Sequence, residues 1–177
     1  MIYKYNIDNK TKRKYFFNFI RSMLIIDFVI ILTIFFIYKL SYENIMKIFL
    51  VLFFFTFIFY LLPLILLYLN YLKYNKKSEL IINEDNSLNT FSFNDIKTTF
   101  LTSEIKEIRV HLSFPLFDKR MRWFYWDELF YYELILNNNT NIFISCLLCD
   151  DLSKHFPTAK ILRKKRVIPI IRVPRSR

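Results

Sequence analysis

Two long apolar runs dominate the first half of the chain. The first covers Ser22–Tyr38 and carries one charged residue, Asp27, whereas the second covers Ile48–Asn70 and carries none. At a rise of about 1.5 Å per residue, a helix over the second run spans a hydrocarbon layer of roughly 30 Å. A polar break at Lys39–Lys47 separates the runs. The pattern predicts a transmembrane helical hairpin over residues 22–72, with helices at 22–40 and 46–72.

Asp27 is the most unusual residue of these spans, because a carboxylate in hydrocarbon costs roughly 2.5 to 3.5 kcal/mol. If Arg21 lies level with Tyr74 in an antiparallel hairpin, Asp27 lies level with Tyr68, whose hydroxyl is a suitable partner near the inner interface. We favour this structural role over a contact with a partner helix or a proton relay. Pro63 predicts a kink, since it leaves the carbonyl of Phe59 without its helical donor.

From Ser78 onwards the pattern becomes that of strands. Asn137–Asn141 reads as a hairpin turn because asparagine tolerates positive φ. Asp150–Phe156 reads as a terminal helix that starts at acidic residues, and a helical turn is expected at Asn94–Lys97. Runs of β-branched and aromatic residues predict strands at Glu79–Asn83, Thr90–Phe93, Ile105–Ser113, Arg122–Trp126, Phe130–Leu136 and Ile142–Ser145. The fold class is therefore a membrane-anchored α+β protein, whose mainly antiparallel β domain covers residues 73–162 and ends in a C-terminal helix.

Charge is distributed unevenly along the chain. Within the net charge of +11, residues 1–21 contribute +5, residues 22–77 contribute +3, residues 78–159 contribute −5 and residues 160–177 contribute +8. Basic segments that flank spans stay on the cytoplasmic side. We therefore expect both termini in the cytoplasm, with a basic N-terminal flank over residues 1–21 and an irregular basic tail over residues 163–177.

Composition excludes several classes of enzyme and nucleotide-binding protein. The chain has no glycine, so it cannot form a Walker loop, a dinucleotide fingerprint, a nucleophile elbow or an EF-hand loop. Its acidic residues are scattered, and its two histidines, His111 and His155, have no flanking pattern. We expect no enzyme, no catalytic residue and no cofactor, since general acid–base chemistry requires convergence in a pocket.

A zinc site is the one metal centre that the sequence suggests. Cys146, Cys149 and His155 follow the spacing C-x2-C-x5-H, and His111 is an available fourth ligand. A single CxxC pair at the end of an apolar strand is more typical of buried thiols. We therefore expect no metal.

The chain resembles the small bacterial membrane proteins in which two spans precede a pleckstrin-homology-like (PH-like) domain. The resemblance covers residues 15–165 and rests on the architecture and on the segment Trp126–Asp151. It implies a partly open antiparallel barrel closed by a helix over residues 78–160, in a bacterial inner membrane. Phosphoinositide-binding members use basic side chains around the first hairpin, but no Lys or Arg lies between Glu79 and Ile96. We expect no inositol-phosphate site at that hairpin.

Two basic surfaces are candidates for contact with partners. The first is an aromatic-basic cluster that suits anionic headgroups or a protein edge, and it contains Lys119, Arg120, Arg122 and Trp123. The second belongs to the tail and suits anionic lipid, at about 1 kcal/mol per basic residue, and it contains Arg163, Lys164, Lys165 and Arg166. Nucleic acid is the competing polyanion, but attachment to the bilayer favours lipid.

The leading interpretation is a non-enzymatic inner-membrane protein whose cytoplasmic domain is a protein-interaction or scaffold module. The first alternative is an accessory subunit of a transport or secretion complex, packed through its transmembrane helices. A membrane-bound enzyme is the second alternative. The expected partners are the bilayer, another protein and anionic lipid headgroups.

Overall fold

The computed structural model describes residues 1–7, 18–38, 42–85, 87–94, 96–121 and 124–172. Within these residues, eight strands form two four-stranded sheets, and a long helical insertion separates the first strand from the second. This confirms a mainly β domain, and it moves the start of that domain to the beginning of the chain.

The first sheet is antiparallel and has the order β1-β2-β3-β4. Its strands are β1 (Ile2–Asn6), β2 (Glu79–Asn83), β3 (Leu88–Phe93) and β4 (Ile96–Leu101). β1 lies within residues 1–21, for which charge predicts a basic flank. Tyr3 and Tyr5 instead pack against the core, so this part of the flank belongs to the sheet. Asn94, with a φ of 46°, turns the chain into β4, where a helical turn was expected.

The insertion between β1 and β2 contains α1 (Asn18–Tyr38), α2 (Tyr42–Thr56) and α3 (Leu62–Asn75). A π-helical segment, Phe57–Leu61, joins α2 to α3 directly before Pro63. Among the described residues, the helix Met46–Asn75 is long and apolar enough to cross a membrane, and 17% of its most apolar window is buried. By this criterion, the expected two-span hairpin is supported for its second helix alone.

The second sheet has the order β7-β6-β5-β8. Its strands are β5 (Ile105–Ser113), β6 (Tyr131–Leu136), β7 (Asn141–Ser145) and β8 (Ile161–Arg166). β8 runs parallel to β5, with Arg166 opposite Ser113. The first part of the basic tail is thus a strand, where an irregular segment was expected. Asn139, with a φ of 62°, lies in the predicted β6–β7 turn.

Two local predictions fail in the segments between these strands. Of the strand expected at Arg122–Trp126, Arg122 and Trp123 lie outside the described residues, and the rest leads into a 3-10 helix at Tyr125–Glu128. There the Asp127 carboxylate accepts a hydrogen bond of 3.2 Å from Phe124 N. The helix expected at Asp150–Phe156 is reduced to a 3-10 turn at Leu152–Lys154. A short helix, α4 (Phe114–Phe117), follows β5 instead.

Buried apolar side chains form two clusters. The first fills the space between the sheets and includes Ile108, Leu134 and Ile144. The second joins α3 to the second sheet, and its buried members include Leu64, Leu67, Tyr71 and Tyr131. One face of α3 is therefore covered by the β domain, while Phe53, Phe54 and other apolar residues of α2 are exposed.

Candidate functional site

A cleft of about 900 Å³ lies on the outer face of the second sheet. Arg109 and His111 of β5 and Tyr131 and Glu133 of β6 form its floor. Residues at alternate strand positions point to the same face, and the β5 residues between them pack in the core. The floor is therefore a direct product of strand periodicity.

The segment 167–172 forms one wall of the cleft, and α3 holds this segment in place. The Asn70 side chain donates to Ile171 O at 3.2 Å and accepts from Ile171 N at 2.9 Å. The Tyr71 hydroxyl donates to Pro169 O at 2.8 Å. Both contacts tie the wall of the cleft to the helix that enters the β domain.

The cleft has a strong excess of positive charge. The carboxylate in its lining is that of Glu133, and the cations are Arg109, Lys164, Lys165, Arg166 and Arg172. Arg109 pairs with Glu107 at 2.5 Å, and Lys165 pairs with Asp118 at 2.7 Å. Among the residues that the structure describes, neither Lys164 nor Arg172 lies within ion-pair distance of a carboxylate. These two cations are available to a ligand.

His111 lies at the centre of the floor and is buried. Arg166 Nε donates to His111 Nδ1 at 3.2 Å, so Nε2 carries the proton of the neutral ring and donates to Glu133 Oε2 at 3.0 Å. Burial lowers the pKa of His111; Glu133 opposes this shift, while Arg166 and Arg109 reinforce it. The Tyr131 ring stacks on His111, with the two ring centroids 4.4 Å apart. Burial raises the pKa of Tyr131 to about 12. Both rings are neutral near pH 7, and His111 holds the Arg166 guanidinium through this hydrogen bond.

A second contact joins the β domain to the middle of the long helix. The Trp126 indole N–H donates to Phe59 O at 3.4 Å, and this is the carbonyl that Pro63 deprives of its helical donor. Phe124 stacks on Trp126 at 5.2 Å and contacts Tyr60 at 4.9 Å. The turn at Tyr125–Glu128 thus satisfies the interrupted helix.

A family model described as a PH domain matches residues 4–154. The chain belongs to the PH-domain family. In comparisons with curated proteins and with solved structures, no match to the chain is found. The matched range begins within β1 and contains α1, α2 and α3, so the helical insertion lies inside the PH domain, between its first two strands. PH domains are typically non-catalytic modules that bind proteins or lipids.

This connectivity changes which hairpin is the first of the PH domain. The sequence interpretation took β2 and β3 as the first hairpin, whereas the first antiparallel pair is β1 and β2. Helices occupy the connection between these two strands. The basic residues Lys10, Lys12, Arg13 and Lys14 also belong to this connection, and they lie outside the described residues.

The expected pair of Asp27 and Tyr68 is not formed. Asp27 Oδ1 instead accepts a hydrogen bond of 3.4 Å from the Thr56 hydroxyl. Thr56 precedes Tyr68 by 12 residues, so α1 packs against an earlier part of the helix Met46–Asn75 than the charge-based alignment assumed. Tyr68 is buried in the cluster between α3 and the second sheet. The two residues therefore lie in different environments, one between helices and one in the PH domain.

The predicted aromatic-basic cluster is described only in part. Lys119 has a φ of 54° and follows α4, where the hydrogen bond from Arg120 N to Pro115 O closes the helix end. Arg120 lies 3.8 Å from Asp118. Arg122 and Trp123 lie outside the described residues. The structure gives Lys119 a local role in the turn.

Of the four basic-tail residues predicted to contact anionic lipid, Lys164, Lys165 and Arg166 line the cleft. The sequence interpretation missed Arg109, His111 and Arg172. An available signal was the alternation on β5, where Glu107, Arg109 and His111 take every second position. The Cys146 and Cys149 thiols are buried in different clusters, and burial raises the pKa of Cys149 to about 12.

Proposed function

We propose that the chain is a membrane-anchored PH domain that binds a partner protein at the membrane surface. The bilayer is crossed by α1 and, in the other direction, by α2 together with the π-helical segment Phe57–Leu61, and the PH domain rests on the leaflet from which both helices emerge. The pairing of β1 with β2 carries this proposal, since Tyr3 lies opposite Ile82. Both ends of the insertion are on one side of any membrane, so a chain that crosses through α2 must cross back.

α1 is the helix that suits the return crossing. Its 21 residues span about 31 Å, and its apolar side chains Leu24, Ile25 and Phe28 are exposed. The Asp27–Thr56 contact places Asn18 level with Ile65, close to the point where the PH domain begins to cover α3. Both helices therefore leave their apolar environment at a similar level.

The charge distribution supports a cytoplasmic PH domain with both termini on the same side. The basic segments flank the outer ends of the hairpin, whereas the tip between α1 and α2 carries Lys39, Glu43 and Lys47. Because basic flanks stay inside, this bias favours an inner-membrane protein with its hairpin tip on the far side.

The protein partner is assigned to a groove of about 250 Å³ between the two sheets. Its walls include Phe91, Phe93, Ile96, Ile142 and Phe143. In the described part of the chain, β4 and β7 are end strands of their sheets, and both border the groove. Edge strands offer unpaired backbone groups, so the groove suits an extended segment of a partner that inserts apolar side chains.

The alternative of an accessory subunit in a transport complex is less well supported. An intramembrane carboxylate usually marks a contact between helices. Here the hydroxyl of Thr56 already supplies a partner to Asp27 within the same chain. The carboxylate therefore stabilises the hairpin itself and leaves no need for a second protein.

Membrane topology is tested with single cysteines in a Cys146→Ala/Cys149→Ala background. We expect an impermeant maleimide to label Glu43→Cys from one side of sealed vesicles and Asn138→Cys from the opposite side. The two side chains are exposed at the hairpin tip and in the β6–β7 turn. Labelling of both positions from the same side would refute the hairpin.

Partner binding is tested with matched substitutions of exposed apolar residues. Ile96 borders the groove and is 71% exposed, whereas Ile161 on β8 is 39% exposed and lies outside the groove. A protein that co-purifies in mild detergent should be lost with Ile96→Glu and retained with Ile161→Glu. Equal retention by both variants would refute the groove as the binding site.

A further inference from the structure

The cationic cleft lies at the end of the second sheet that faces the apolar part of the long helix. β5 and β8 are parallel and end together at Ser113 and Arg166. The Ser113 hydroxyl donates to Asp127 O at 2.7 Å, and Asp127 belongs to the turn whose Trp126 reaches Phe59 O. The end of the sheet at which the cleft opens is therefore linked to the level of Phe59, an exposed apolar residue of the π-helical segment.

Exposed apolar residues border the same end of the sheet. Phe114 directly follows β5 and is 43% exposed, and Val167 directly follows β8 and is 64% exposed. Ile168 comes next, and Met121 follows α4; both are exposed. Apolar tips next to cations form the arrangement that suits the boundary between acyl chains and headgroups.

The chemistry of the cleft matches a phosphate group. Arginine provides a fork of donors that fits phosphate oxygens, and lysine adds a point charge. His111, which is stacked on Tyr131, positions Arg166 by a hydrogen bond, while the exposed Lys164 and Arg172 also line the cleft and form its rim. Glu133 is engaged by His111, which reduces its repulsion of an incoming anion.

We propose that this cleft is a phosphate-binding site, with Arg166 as the donor positioned by His111 and with Lys164 and Arg172 as its exposed cations. Its position beside the apolar rim indicates the phosphate of an anionic phospholipid as the ligand. The choice of a lipid source rests on the proposed membrane anchoring, whereas phosphate binding does not. The site is distinct from the connection between β1 and β2, which holds the helices.

The test uses the full chain in uncharged detergent micelles. The midpoint of thermal unfolding is followed by tryptophan fluorescence during titration with dioctanoyl phosphatidylglycerol, dioctanoyl phosphatidylcholine or inorganic phosphate. The double variant Lys164→Gln/Arg172→Gln removes the two rim cations. Lys97→Gln/Lys106→Gln removes the same charge from exposed positions outside the cleft.

Phosphatidylglycerol should raise the midpoint of the wild type and of the control variant. Its apparent affinity for the rim variant should be roughly 30-fold weaker, since each cation near an anionic surface contributes about a fivefold factor. Phosphatidylcholine should bind more weakly than phosphatidylglycerol to all three proteins. An equal loss of affinity in both double variants would overturn the site, because it would reflect net charge alone.

The inorganic phosphate titration identifies the source of the ligand. If phosphate alone stabilises the wild type through the rim cations as strongly as the lipid does, the site is upheld and a soluble phosphorylated solute becomes its ligand. If neither phosphate nor lipid causes a shift that depends on Lys164 and Arg172, the proposal is refuted. Failure of the membrane anchoring would instead be detected by cysteine labelling in vesicles, independently of these titrations.

Discussion

Asn75 fixes the angle at which the long helix enters the PH domain, and its replacement by alanine tests this joint. Asn75 is fully buried at the end of α3. Its amide nitrogen donates to Phe143 O at 2.9 Å, and its oxygen accepts from Ser145 N at 2.8 Å. One side chain thus satisfies two backbone groups of β7.

The size of the effect follows from what alanine leaves behind. Leaving a buried donor or acceptor unsatisfied costs about 1 to 3 kcal/mol, and Asn75→Ala leaves one of each, at Ser145 N and Phe143 O. We expect a loss of roughly 3 kcal/mol in the free energy of unfolding. For a chain of this size, 1 kcal/mol corresponds to about 2–4 °C, so the midpoint should fall by roughly 6–12 °C.

Thermal unfolding of the full chain in detergent, followed by circular dichroism, measures this change. Asn6→Ala is the matched control, because Asn6 is an exposed residue of β1. Its midpoint should stay within about 2 °C of the wild type. A fall of less than 2 °C for Asn75→Ala would contradict the inferred role of the Asn75 side chain in joining helix and sheet.

Three further predictions concern single residues. Trp126→Phe removes the donor to Phe59 O and should lower stability by about 1 kcal/mol, seen as a lower thermal midpoint; an unchanged midpoint would argue against the contact. Lys119→Gly should raise stability by about 1 kcal/mol, because a φ of 54° is costly for lysine and not for glycine, whereas a lower midpoint would contradict this reasoning. As the pH falls below about 6.5, the wild type should lose stability relative to His111→Gln. Burial lowers the pKa of His111 in the folded state, so the unfolded chain takes up the proton first. Glu133, Arg166 and Arg109 face this ring, and urea unfolding of both proteins at pH 7.5 and 5.5 measures the difference; an identical pH dependence would refute it.

The strands with a strong local pattern were predictable from the sequence. β5 alternates buried Ile108 and Val110 with polar Arg109 and His111, and β2, β6 and β7 follow the same rule. The β6–β7 turn was predictable because Asn139 accepts a positive φ in a chain without glycine. These elements depend on nearest neighbours and on one buried face.

The remaining elements depend on contacts between distant segments. β1 is short and its partner β2 follows the whole helical insertion, so no local feature separates it from a basic flank. β8 reads as a basic tail because most of its residues are exposed. The cleft combines β5 and β6 with the segment after β8, and only the folded chain brings Arg109 near Arg172.

If the proposed hairpin crosses the bilayer, the position of the helical insertion between β1 and β2 makes folding of the PH domain depend on correct membrane integration. During synthesis β1 emerges before the helices, so it cannot pair with β2 until the whole insertion has been made. If the helices integrated with an odd number of crossings, β1 and β2 would lie on opposite sides of the bilayer. The edge of β2 would then stay unpaired, and exposed strand edges promote aggregation. Under the proposed topology, closure of the first sheet would thus distinguish correctly oriented chains from misoriented ones, whose unpaired strand edge quality control can recognise.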